Sequence, residues 1–148
     1  MSTEIEKQID TGLRAAMRTE MNKSDALKVL PIECVWLDRE ADMTDLPKVP
    51  GIWIDTQPWI PGVFDGSSIG ASGKSLVSVS ARVNPSDDHG RSVLSLLWGV
   101  VRDICYKGAF SFTGGVTLDG RVVTGAEVGI DDRGVKAEVK MDVNVSVT

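Results

Sequence analysis

Near its end the chain repeats with a period of two. Val135, Ala137, Val139, Met141, Val143, Val145 and Val147 alternate with Lys136, Glu138, Lys140, Asp142, Asn144 and Ser146. That period belongs to an extended strand, whose side chains project to opposite faces, so the segment predicts a long strand with one apolar and one wet face. Upstream, Val122, Thr124, Ala126, Val128 and Ile130 alternate in the same way, and Asp131-Asp132-Arg133-Gly134 between them reads as a turn. Folding the chain back there sets Ile130 opposite Val135 and Val128 opposite Ala137. Both apolar rows then fall on one face, which supports a hairpin in that register.

The rest of the chain supplies two helices and further strands. Over residues 3–22, Ile5, Ile9, Leu13, Ala16 and Met17 recur at spacings of three and four, the mark of an amphipathic helix. Ser2 or Thr3 can cap it, Glu4 and Glu6 suit its positive end, and Gly12 weakens its interior. Leu30 to Leu37 reads as a first strand, with Ile32, Cys34 and Trp36 on one face. A polar loop with two prolines comes next, and Gly51 to Asp55 reads as a second strand. Residues 56–73 read as a long, extended loop rich in glycine and proline. Lys74 to Val83 alternates as a third strand, with Val77, Val79, Ala81 and Val83 on one face and Ser78, Ser80 and Arg82 on the other. After Pro85, residues 87–108 form a second helix. Its stripe is Val93, Leu94, Leu97, Trp98, Val101, Ile104 and Cys105, and Gly108 is its stop. A short extra strand is possible near Val116. The expected fold is α+β in a single domain, 1–148: an antiparallel or mixed sheet, two helices packed on one face, order α-β-β-β-α-β-β.

A length of 148 residues suits one core. The net charge of −5 and the absence of any basic run argue against a grip on nucleic-acid backbones. Cys34 and Cys105 lie in apolar runs and read as buried thiols rather than a disulfide scaffold. The first ten residues carry no signal-peptide pattern, and no apolar run approaches the roughly 20 residues of a membrane span, so a cytoplasmic protein, or one assembled into a particle there, is expected.

Ser68-x-x-x-x-Gly73-Lys74-Ser75 comes one glycine short of a phosphate-binding loop. Such a loop needs a helix N-terminus behind it, and the segment after Lys74 is strand-like. His89, beside Asp87 and Asp88, fits helix capping better than a metal site. Asp38, Glu40, Asp42 and Asp45 lack the pattern of a calcium loop. Neither a nucleophile elbow nor a paired acid and base is evident, so no enzyme activity, cofactor or metal is expected.

Trp59, Ile60 and Phe64 remain, three large apolar residues in the long loop. They either fold back as a lid on the core or bury themselves against another chain. The wet face of the last strand, with Lys136, Glu138, Lys140 and Asp142, either meets a neighbour or is simply solvated.

The order of elements and the Pro50-Gly51-Ile52-Trp53-Ile54-Asp55 strand make the chain similar to the tail-terminator and tail-completion proteins of long-tailed bacteriophages. That resemblance, which rests on layout and size, implies a structural virion protein. It would form a ring, typically a hexamer, cap the finished tail tube and join it to the head connector, with DNA only passing through the lumen and no membrane involved. The residues it nominates for contact with the next subunit or the tube are Trp59, Ile60, Phe64, Ile69, Lys74, Lys136, Glu138, Lys140 and Asp142. Another neck or head-completion protein, or a small ligand-binding domain, remains as the alternative.

Overall fold

The computed structural model describes residues 4–35, 50–62, 72–84, 90–131 and 134–147. Within them the chain runs α1 (Glu4–Met21), β1 (Ile32–Val35), β2 (Gly51–Thr56), β3 (Ile60–Pro61), β4 (Ser72–Val83), α2 (Gly90–Tyr106), β5 (Val116–Asp131) and β6 (Gly134–Val147). The strands make one sheet in the order β1-β2-β4-β6-β5, with β3 also paired to β4. β1 joins β2 in parallel; every other pairing is antiparallel. The fold is thus α+β with a mixed sheet, as expected.

The hairpin has the register that the alternation specifies: Ile130 faces Val135 and Val128 faces Ala137. Two details differ. β5 is continuous from Val116, so the short extra strand is its beginning. Register shifts between Leu118 and Gly120 and between Val123 and Gly125 interrupt it. Each such bulge moves the residues beyond it to the other face. Val122 therefore sits opposite Asp142 on the wet side, while Val123 takes the place opposite Met141. The row expected to run from Val122 to Ile130 on one face is broken at Thr124.

Both helices lie on one face of the sheet, α1 over β1 and β2, α2 over β4 and β6. A helix about 10 Å across covers roughly two strands spaced about 4.8 Å apart. Two helices therefore cover four strands, and β5 is the fifth. The core follows that footprint. Ile9, Leu13 and Met17 of α1, Ile52 and Ile54 of β2, Val77 and Val79 of β4, Leu97 and Val101 of α2, and Val139, Met141 and Val143 of β6 are all fully buried. Val128 and Ile130, on the same face of β5, are 72% and 76% exposed. The pattern placed them correctly on the helix side; the helices do not reach them.

Gly12 serves packing rather than merely weakening α1. A Cβ there would stand 2.4 Å from Cδ1 of Phe112 and from the carbonyl oxygen of Ser111. The segment after α2 crosses α1 at this point, and only glycine leaves room. On the outer side of α1, Arg14 Nη2 donates to the carbonyl of Ile32, and Arg18 donates to those of Lys28 and Leu30, at 2.9–3.0 Å. These bonds tie the helix to the outer strand of the sheet and to the segment that leads into it.

Among the described residues the first strand is Ile32–Val35, so it begins two residues later than expected, and Trp36 and Leu37 lie outside the described residues. Thr56 belongs to β2, and the expected loop at 56–73 is not structureless throughout. Ile60–Pro61 pairs with Gly73 and Lys74, so strand structure returns before residue 63 and resumes at Ser72. Backbone bonds from Gln57 to Leu76 (2.9 Å) and from Gly62 to Ser72 (2.7 Å) hold this segment against β4.

Candidate assembly surface

The Gly73-Lys74-Ser75 segment that resembled a phosphate loop is the start of β4. Its glycine admits β3: a Cβ on Gly73 would meet the carbonyl oxygen of Ile60 at 2.2 Å. Ser75 is fully buried, and its hydroxyl donates to the carbonyl of Gln57 at 2.6 Å. The backbone here is extended and bonded as a strand, so its amides do not converge on an anion. His89 and the acidic residues 38, 40, 42 and 45 lie outside the described residues. Among the described residues no three His, Cys, Asp or Glu side chains cluster as metal ligands.

Of the loop residues nominated for contact, Trp59 and Ile60 have opposite fates. Trp59 packs partly buried against the core, with its indole Nε1 unpartnered among the described residues. Ile60 is 63% exposed. Of these two adjacent residues, one thus lies on the core and the other in solvent. Phe64 and Ile69 lie outside the described residues. Ile60 faces Lys74 across the β3–β4 pair, and the two help line a cleft of about 300 Å³ with Pro61, Gly73, Asp119 and Asn144. This places Ile60 and Lys74 together at one end of the sheet.

Lys136, Glu138, Lys140 and Asp142 share the sheet face that carries no helix. Ion pairs link the first three to one another and Asp142 to Lys74. Glu138, only 8% exposed, lies between Lys136 (3.7 Å) and Lys140 (3.9 Å). Lys136 also reaches Glu127 at 3.9 Å, and Lys74 reaches Asp142 at 3.9 Å. The last contact joins the two groups of nominated residues on one face. At such distances and exposures the outer pairs contribute little to stability. The row does neutralise the face locally, so a partner approaching it meets alternating signs rather than a field of one sign.

Two apolar residues on this face escaped the sequence reading. Leu76 and Val122 flank Asp142 from β4 and β5 and are 45% and 57% exposed. Leu76 was legible as the one apolar residue on the polar side of its strand. Val122 was not, because a bulge reassigns it. Farther along, the Arg82 guanidinium stacks over the ring of Trp53 at 3.9 Å and donates from Nε to Ser80 at 3.1 Å. Arg82 is only 7% exposed, so this end of the face is closed by its own side chains.

Inside the fold, burial pushes the Cys105 thiol up to about 12, with Arg121 opposing it weakly, which leaves a thiol without nucleophilic character at neutral pH. Asp10 is 1% exposed and accepts a hydrogen bond from Thr56. Burial raises its carboxyl from 3.8 to about 7, against the opposing effect of the Thr56 bond. Its position between α1 and β2 makes it a tie within the core rather than a group open to a substrate.

No family model matches the chain, and no curated protein does. The fold has solved counterparts. A chain from "Virion of native gene transfer agent (GTA) particle" aligns with 99% of this chain and 98% of its own, at 13% identity and a TM-score of 0.50. At that identity the likeness establishes a shared fold. A second solved chain aligns over 99% of this one and 97% of its own, at 11% identity and a TM-score of 0.43, too low to bear on function.

Proposed function

We propose that this chain is a structural virion protein that forms a ring of six copies, caps the end of a phage-type tail tube and joins it to the head connector. The observation that carries the reading is the end-to-end correspondence with a chain of a gene transfer agent virion, 99% of one and 98% of the other. The order of elements, read from the sequence, points the same way. In this reading Ile60, Lys74, Leu76, Val122 and the charged row from Lys136 to Asp142 face the next subunit or the tube. Trp59 anchors this segment on the core, and Phe64 and Ile69 belong to the same nominated contact. A chain with net charge −5 lets DNA pass through a lumen without adhering, since like charges repel. The protein does no covalent chemistry in this role.

Native mass spectrometry of the purified protein, alone and with tail tubes, tests the ring: six copies or a multiple of six are expected. Particles produced without this chain are expected to carry tails that fail to join heads, and adding the purified protein restores joining. A chain that stays monomeric with tubes present, or complete particles formed in its absence, overturns the reading.

A further inference from the structure

The two outer edges of the sheet are treated differently. At β1 the carbonyl of Ile32 is already bonded by Arg14, and just before the strand that of Leu30 is bonded by Arg18. A further strand would have to displace two guanidinium groups. At the other edge β5 runs for 16 residues, paired on one side to β6 and on the other to no described strand. Alternate residues of such a strand direct N–H and C=O outward, so the edge is a ladder of open donors and acceptors. Natural edges of this length are usually blunted by charged side chains, proline, β-bulges or a covering element, and of the four charges and two bulges of β5 only Glu127 falls within 126–130. β5 contains neither lysine nor proline, and neither helix is seated on it. Its bulges fall in the first ten residues, and 126–130 is regular. Over that regular stretch the side chains of Val128 and Ile130 are exposed on the helix side of the sheet.

We propose that β5 pairs antiparallel with β5 of a second copy of this chain, about a two-fold axis at Val128, making one sheet across two molecules. The sequence of the stretch is self-complementary in that register. Val128 meets its own counterpart, and Ala126 meets Ile130 of the second copy, so apolar residues meet on one face. On the other face Glu127 meets Gly129, and a Cβ at Gly129 would have open space around it. A register centred on Glu127 would set two carboxylates directly opposite, which is unfavourable. β1 is four residues long and engaged at Ile32, so among the described residues β5 is the long edge that a second copy can offer. This inference goes beyond the ring and does not rest on it. A ring needs head-to-tail contacts, whereas this contact is two-fold and joins copies in pairs.

The test is Val128→Cys in a Cys34→Ser background under mild oxidation. Across a two-fold antiparallel pair the Cα atoms at position 128 lie about 4.5–5.5 Å apart, within disulfide reach. A covalent dimer is expected on a non-reducing gel. Val122→Cys, on the other face and far from the axis, is expected to give none. Val128→Lys places a charge at the axis on an exposed site, so circular dichroism should stay unchanged while native mass loses the paired species. Absence of a crosslink from Val128→Cys, equal crosslinking at 122 and 128, or pairs indifferent to Val128→Lys each overturn the proposal. A wild-type chain that is monomeric alone overturns it too, and points to a foreign strand on the edge. Crosslinking at 128 without six-fold rings supports the pairing while rejecting the ring.

Discussion

Asp10, midway along α1, accepts a hydrogen bond from the hydroxyl of Thr56 at the end of β2, and its second carboxyl oxygen has no partner among the described residues. A carboxylate so enclosed carries a desolvation cost that the single hydroxyl does not offset. Asp55 and Glu6 add repulsion, and Arg14 relieves it in part.

This pairing makes stability depend on pH. The folded-state value of Asp10 is raised from 3.8 to about 7. The contribution is therefore fully present below about pH 4 and is lost as the pH rises through 7. The loss is on the order of 4 kcal/mol at full ionisation. Asp10→Asn keeps the Thr56 acceptor and removes the titration. Urea unfolding at pH 5 and pH 8 should show the wild type losing stability between them and the variant nearly flat. Equal losses in both proteins would exclude Asp10 as the cause.

Gly12→Ala should destabilise. Helix propensity alone favours alanine by about 0.8–1 kcal/mol. Against that, the new methyl would meet Phe112 and the Ser111 carbonyl at 2.4 Å, and overpacking of this kind costs about 1–3 kcal/mol. Thermal unfolding decides the sign, and a raised Tm would mean that the segment at 111–112 yields easily.

Gly73→Val should release β3 from β4, because the Ile60 carbonyl already occupies the space. The expected signs are faster amide exchange over residues 57–62 and a red shift in tryptophan emission as Trp59 is uncovered. Exchange unchanged from the wild type would show that β3 is held from elsewhere.

The double variant Arg14→Ala, Arg18→Ala should unblock the β1 edge. Each lost bond to a backbone carbonyl contributes roughly 1 kcal/mol, a modest loss. The larger expected effect is self-association that rises with concentration, seen by light scattering, because carbonyls at a sheet edge become free to pair. A variant that is less stable but no more associated would show that the arginines hold α1 and do not guard the edge.

The hairpin register was legible because side-chain period and turn position must agree, and the register that pairs Ile130 with Val135 satisfies both. The helices were legible for the same reason at a period of 3.6. Ile9, Leu13 and Met17 are buried as their spacing requires. β3 was hidden because a strand two residues long has no period to read. The parallel pairing of β1 with β2 was left open because an apolar strand does not state the direction of its neighbour. On the candidate assembly surface, the alternation identified Lys136 to Asp142 but not their ion pairs, which also draw on Glu127 and Lys74 from adjacent strands.

By itself the sequence determined which residues face inward wherever no bulge intervenes, as one does around Val122, since periodicity is a local property of the backbone. It determined Gly12 and Gly73 only as glycines. Their purpose belongs to segments that are distant in the chain or fold back upon it, Phe112 in one case and Ile60 in the other. The tertiary structure alone decided which inward-facing residues are covered. Val128 and Val139 follow the same alternation, yet one is 72% exposed and the other fully buried. The difference is geometric: two helices span about four strands, and the sheet has a fifth.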